Sequence, residues 1–197
     1  MKQGGIGWPV RVLTVLRQFA IAALALLAIS VSSWSAPPPY VPNQPLTLRP
    51  PLQTLDREPA GFTGMLAAHN RARHAVGVAD MQWSDRLAAI AQAWAERLRA
   101  QNCAMRHSGA AGMGENLAWA GGQRLTPAGV VAMWVAEARD FNPSSGTCAR
   151  NAVCGHYTQI VWRNTRQVGC GMISCGGSEV WVCNYSPPGN FAGERPY

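Results

Sequence analysis

The sequence predicts an α+β domain behind an export signal, and three observations predict it. Three stretches carry apolar residues at helical spacing, two later stretches read as the strands of a tight hairpin, and six cysteines follow an N-terminal apolar run. A chain of 197 residues can bury one proper core but is short for two.

Residues 1–18 carry Lys2, Arg11 and Arg17 with no acid, and Phe19 to Val31 is an almost unbroken apolar run. A bilayer span needs about 20 such residues, so this run has instead the length of a signal-peptide core. Residues 1–35 are therefore read as a signal. Cleavage after Ser35 sets Ser33 and Ser35 at the two positions that want small side chains. The alternative is an uncleaved anchor helix. No cysteine lies near the cut, so no lipid anchor is expected on the mature chain, which would be secreted or periplasmic.

Residues 36–59 hold eight prolines. Proline lacks the backbone donor that helices and ladders use, so this stretch reads as an extended linker, with the folded unit spanning 60–197. Loss of the three basic residues of the signal lowers the formal charge from +7 to +4. The remaining arginines are scattered, with no basic stripe interleaved with aromatics, which argues against a nucleic-acid partner.

Phe62, Met65, Leu66, His69 and Ala72 share a helical face, and Gly77 supplies a stop. Ser84 is an N-cap candidate for a second amphipathic helix through Leu87, Ile90, Ala91, Trp94 and Leu98. Thr126-Pro127 opens a third, in which Val130, Val131, Trp134 and Ala138 align. Strands are expected at about 167–175 and 179–185, flanking Gly176-Gly177.

Six cysteines in an exported chain read as a disulfide framework with fifteen possible connectivities. With the two glycines as the turn, Cys170 faces Cys183 directly across the hairpin, close enough for a bridge. Cys148 and Cys154 can close a small loop, which leaves Cys103 for Cys175. That last bridge closes a loop of 73 residues, worth roughly 4 kcal/mol in the chain-entropy treatment. A zinc-cysteine site is the competing reading, but no CxxC pair exists and the compartment is oxidising.

Among polar residues, Glu115 in GMGENLAW and Glu137 in MWVAEARDF sit amid apolar neighbours, where a carboxylate needs a partner. His107 follows Cys103 by four positions and His156 follows Cys154 by two, so the bridges would hold both imidazoles near the crosslinked centre. Two histidines and two glutamates can share protons or hold zinc or another divalent cation. Spacing alone leaves open that they are separate, satisfied groups. His69 and Asn70 read as packing and hydrogen-bonding residues, and His74 as exposed. Trp119, Trp134, Trp162 and Trp181 read as core. Ser108 has no nucleophile elbow around it. Asn184, Tyr185 and Asn190 are expected to hold the terminal loop, whose direction Pro187 and Pro188 fix.

GHYTQIVWRNT at 155–165 and VCNYSPPGN at 182–190 resemble the two signature motifs of the CAP superfamily, which includes cysteine-rich secretory proteins, antigen five and plant pathogenesis-related proteins. HNRAR at 69–73 and GENLAW at 114–119 resemble two further motifs of that family, in the correct order. The likeness runs from about Ala60 to the terminal GERPY and is nearest to the plant pathogenesis-related class-one branch.

That resemblance implies a three-layer α-β-α sandwich with a wide groove. His107, Glu115, Glu137 and His156 match its two histidines and two glutamates position by position. It also implies a short helix for HYTQIVW, which periodicity does not decide, and the same cysteine pairing. The expected function is a secreted, monomeric, non-catalytic binder of a lipid or sterol-like ligand or of a partner surface, with the tetrad tuned by a divalent cation. Two alternatives stand beside it. One is a zinc-dependent peptidase or hydrolase with Glu115 or Glu137 as general base; the other is an effector module whose tetrad is purely structural.

Overall fold

The computed structural model describes residues 57–197. The signal expected at 1–35 and nearly all of the proline-rich stretch lie outside these residues.

The first helix, α1 (Met65–His74), follows a short 3-10 turn at Ala60–Phe62. Its first turn carries no acid of its own; the Glu58 carboxylate accepts from the backbone N–H groups of Gly64 and Leu66 instead. Strand β1 (Gln82–Trp83) leads into α2 (Asp85–Ala100), where Ser84 is the N-cap as expected and its hydroxyl accepts from Leu87 N. Thr126 likewise caps α3 (Pro127–Val135), with proline at the first position. The helical face extrapolated to Ala138 is cut short, because the chain tightens into a 3-10 turn over Ala136–Asp140.

Strands β5 (Gln167–Cys175) and β6 (Ser178–Ser186) form the predicted hairpin, with Cys170 opposite Cys183 and both turn glycines at positive φ. The stretch Gly114–Gly121 is a third long strand, β2, antiparallel to β6. The sheet order is β1-β5-β6-β2, and β1 runs parallel to β5. A two-residue pair, β3 (Phe141–Asn142) with β4 (Thr147–Cys148), precedes α4 (Gly155–Ile160), the short helix implied for HYTQIVW.

Strand alternation sorts the core into two layers. Val180, Val182 and Ile173 pack with Ala91, Ala95 and Leu98 of α2. Trp181, Cys183, Tyr185, Val168 and Cys170 face the other way and pack with Met65, Val130, Trp134 and Ile160 of α1, α3 and α4. Helices on both faces of one sheet make the three-layer sandwich. The α2 layer is unusually close: a Cβ at Gly169 or Gly171 would collide with the α2 backbone at Ser84, Ala88 and Gln92. Those glycines face α2 while Cys170 between them faces the opposite layer, so the VGCG run encodes a close approach and a staple together.

Cysteine pairs are Cys103–Cys175, Cys148–Cys154 and Cys170–Cys183. The first joins the end of α2 to the hairpin tip, and the second closes the loop just before α4. Trp119 departs from the expected core position. It is 50% exposed, because it points outward from β2 and lies over Gly121, where a side chain would collide with its ring.

Candidate functional site

Glu137 sits in the 3-10 turn that follows α3 and reaches the start of α4. Its Oε1 accepts from His156 Nδ1 at 2.6 Å, and its Oε2 accepts from the backbone N–H groups of His156 and Tyr157 at 3.0 and 3.1 Å. One carboxylate therefore orients the imidazole and satisfies two orphan donors of the helix. The Trp134 indole stacks on the other side of the ring, with centroids 6.1 Å apart and planes 17° from parallel. Trp134 is itself fixed by donating Nε1–H to Leu117 O.

Glu115 lies at the start of β2. Its Oε1 accepts from His107 Nδ1 and from Ser108 N, both at 2.8 Å. This second pair is differently placed: the His107 side chain is 62% exposed whereas Glu115 is nearly buried. The other carboxylate oxygen, Glu115 Oε2, is buried without a hydrogen-bond partner, and so is Nδ2 of Asn184, which lies directly opposite Glu115 across the β2–β6 ladder.

The structure thus sorts the four residues into two histidine–glutamate pairs. Because a carboxylate accepts at each Nδ1, each ring carries a hydrogen there, and among the described residues neither Nε2 has a hydrogen-bond partner. An imidazole oriented by a carboxylate on one nitrogen is the usual arrangement behind a metal ligand, and Glu115 Oε2 is a buried acceptor with nothing to accept from. The donor chemistry suits a divalent cation. The geometry is less complete: among the described residues, no three His, Cys, Asp or Glu side chains are grouped so as to hold a metal ion.

Sequence reasoning missed the network beneath the pairs. His69, fully buried on α1, bonds Met65 O through Nδ1 at 2.8 Å and the Tyr185 hydroxyl through Nε2 at 2.9 Å. A carbonyl can only accept, so Nδ1 carries the hydrogen; burial lowers the ring's pKa from 6.5 to about 4, so the ring is neutral and Nε2 accepts from Tyr185. The Tyr185 hydroxyl accepts in turn from Asn116 Nδ2, which also donates to His156 O at 3.0 Å. A buried chain therefore runs from α1 through β6 and β2 to the backbone of His156. Asn116 adjoins Glu115, so the two pairs hang on neighbouring residues of one strand. The N of GENLAW was the available signal, since a buried asparagine must find partners.

Tyr185 thereby serves this network and not the terminal loop. Asn190 does hold that loop: its Nδ2 donates to Gly155 O and its Oδ1 accepts from Thr158. Ser108 offers its backbone N–H to Glu115, and its hydroxyl accepts from Ala110 N.

A second feature lies between α1 and α3. A groove of about 320 Å³ is walled by Ala68, Ala72 and Ala75 on one side and Val131, Ala132 and Val135 on the other, with Arg71 at its edge. Small side chains at one-turn spacing on both helices keep it open.

Residues 66–185 match the CAP family, described as the cysteine-rich secretory protein family. The chain belongs to it. Among relatives, a pathogenesis-related protein of PR-1 type from Sambucus nigra is 50% identical over 131 residues, covering 66% of this chain and 78% of that protein. Pathogenesis-related protein 1 from Arabidopsis thaliana is 49% identical over 133 residues, covering 67% and 80%. Among solved structures, the venom allergen-like protein 4 of Schistosoma mansoni superposes with a TM-score of 0.59 at 26% identity, covering 71% of this chain and 95% of that one. The CAP domain described here is thus of PR-1 type.

Proposed function

We propose that this CAP domain is a secreted, non-catalytic binder of a long-chain fatty acid, held in the groove between α1 and α3. The observation that carries the reading is the groove itself. Its volume lies at the lower end of the range for small-ligand sites, its walls are alanine and valine, and the exposed Arg71 at its edge makes no ion pair among the described residues. An apolar slot with a guanidinium at the rim suits an acyl chain ending in a carboxylate. The sterol-like alternative is bulkier and rigid, and a groove of about 320 Å³ lined by alanine and valine favours a single flexible chain.

The test is extraction of the oxidised protein with organic solvent, followed by titration of the delipidated protein with labelled palmitate. Binding should be saturable, and Arg71→Gln should weaken it by about tenfold, the worth of one charge-assisted contact. No saturable binding, or equal binding of a neutral alkane of the same length by both proteins, would remove the reading.

A divalent cation between the histidines is the second reading, favoured by the free Nε2 atoms and by the unpartnered Glu115 Oε2. A calorimetric zinc titration of the parent beside a His107→Ala, His156→Ala variant decides it. Heat in the parent and none in the variant supports the cation; none in either rejects it. As a general base Glu137 is poorly placed, because its two oxygens already accept three hydrogen bonds.

A further inference from the structure

A separate cavity of about 400 Å³ opens where the chain leaves α1 and where it enters β5. Its walls are residues 76–79, Arg163, Arg166 and Tyr197. Beneath them lies Arg73, fully buried. Its Nε donates to Ala79 O, one terminal nitrogen donates to Ile160 O and Trp162 O, and the other donates to Thr165 O, all between 2.6 and 2.9 Å. These carbonyls belong to the two segments that wall the cavity, so Arg73 ties the walls together. It does so with neutral acceptors only.

Positive charge accumulates here, offset in part by Asp80, whose carboxylate acts on Arg73 in the opposite sense to Arg166. Burial, and then repulsion from Arg166, lower the pKa of Arg73 from 12.5 to about 10, which still leaves it protonated at neutral pH. Neither Arg163 nor Arg166 makes an ion pair among the described residues. Among the described residues the Arg166 guanidinium contacts only the carbonyls of Arg163 and Thr165, both through one terminal nitrogen, and its Nε and second terminal nitrogen have no acceptor there. Two side-chain carboxylates are near. Asp80 is engaged by His74, and Glu194, which shares an adjoining cavity with Arg163, pairs with no described cation.

The backbone that carries these side chains is fixed. Arg163 N donates to Pro196 O, Arg166 N donates to Ser186 O, and Arg166 O accepts from Gln82 N. Guanidinium forks on a rigid frame match the oxygens of a phosphate group, and the field of a third, buried guanidinium adds to theirs. We infer that this cavity, bounded by Arg163 and Arg166 over the buried Arg73, is an anion site that takes a phosphate group. The inference is independent of the α1–α3 groove.

The oxidised protein is titrated with inorganic phosphate at low ionic strength while the arginine Nε–Hε NMR signals are followed. A chloride titration at matched ionic strength runs alongside. The expected result is a saturable shift at Arg163 and Arg166 with phosphate alone. Arg163→Gln or Arg166→Gln should each weaken binding by about tenfold, the value of one charge-assisted hydrogen bond. Arg124→Gln, an exposed arginine elsewhere, should change nothing. Vesicles of phosphatidylglycerol and of phosphatidylcholine distinguish the source. Saturation by free phosphate supports a small-molecule ligand, and retention on the first vesicles alone, lost in both cavity variants and kept by Arg124→Gln, supports a lipid headgroup. Shifts that grow linearly and are matched by chloride, or binding equally weakened by all three substitutions, mean an adventitious ion only and overturn the inference.

Discussion

The histidine–glutamate site and the α1–α3 groove are opposite kinds of surface. At the site most polar groups already have a partner inside the protein: Glu137 accepts three hydrogen bonds, both ring nitrogens of His69 are bonded, Asn116 Nδ2 donates twice, and each imidazole is held by a carboxylate at Nδ1, with Glu115 Oε2 and Asn184 Nδ2 as exceptions. The groove leaves rows of alanine and valine methyls facing an open slot. A group bonded within the fold contributes to stability, whereas apolar surface left open gains from a ligand. The difference separates what builds the domain from what is offered to solution, although the four site residues are the more conspicuous in the sequence.

The largest effect expected from the polar side is acid sensitivity. Burial keeps His69 neutral in the folded state down to about pH 4, while the unfolded ring takes up a proton near 6.5. Stability is therefore full above pH 6.5 and is lost as pH falls from 6.5 toward 4, by about 3 kcal/mol in total. Urea unfolding at three pH values across that window checks it. A flat profile would mean that burial does not hold His69 neutral.

Next in size is Glu137→Ala, which strands two helix N–H groups and frees His156. A loss of about 2 kcal/mol is expected in denaturant unfolding, and Glu137→Gln should recover part of it through the retained acceptor oxygen. His107→Ala should cost less than about 1 kcal/mol, because that ring is mostly exposed and its pair is solvent-screened. If the two pairs proved equally important to stability, the contrast between a clamped pair and a rim pair would fail. Smallest of all is Ala132→Trp, at an exposed position on the groove wall. It should leave unfolding within about 0.5 kcal/mol of the parent while filling the slot.

Much of this was legible before the structure. Ser84 and Thr126-Pro127 announced their helices because caps are local chemistry, and Gly176-Gly177 set the hairpin register that placed Cys170 against Cys183. Helical spacing on α1 was equally readable. Strand β2 was not, since GENLAWAG shows no clean alternation: Trp119 points outward over Gly121 while Asn116 points inward to a tyrosine. That inward polar residue is the reason the buried chain escaped notice. Its partner Tyr185 lies 69 positions away, and only the pairing of β2 with β6 brings the two together. The groove was hidden for a related reason. Alanines at 68, 72 and 75 look like ordinary helix formers until α3 lies opposite. Of the site, residue identities were readable from the family motifs, but the partition into two pairs was not.

One measurement tests the central claim directly: titration of a fluorescent polyene fatty acid into the parent, into Ala132→Trp, and into the His107→Ala, His156→Ala variant. The account predicts saturable binding by the parent, none by Ala132→Trp, and binding within about twofold of the parent by the histidine variant, a difference well below the tenfold worth of one charged contact. Loss of binding in the histidine variant with full binding by Ala132→Trp would contradict it, and would move the ligand from the groove to the histidine–glutamate site.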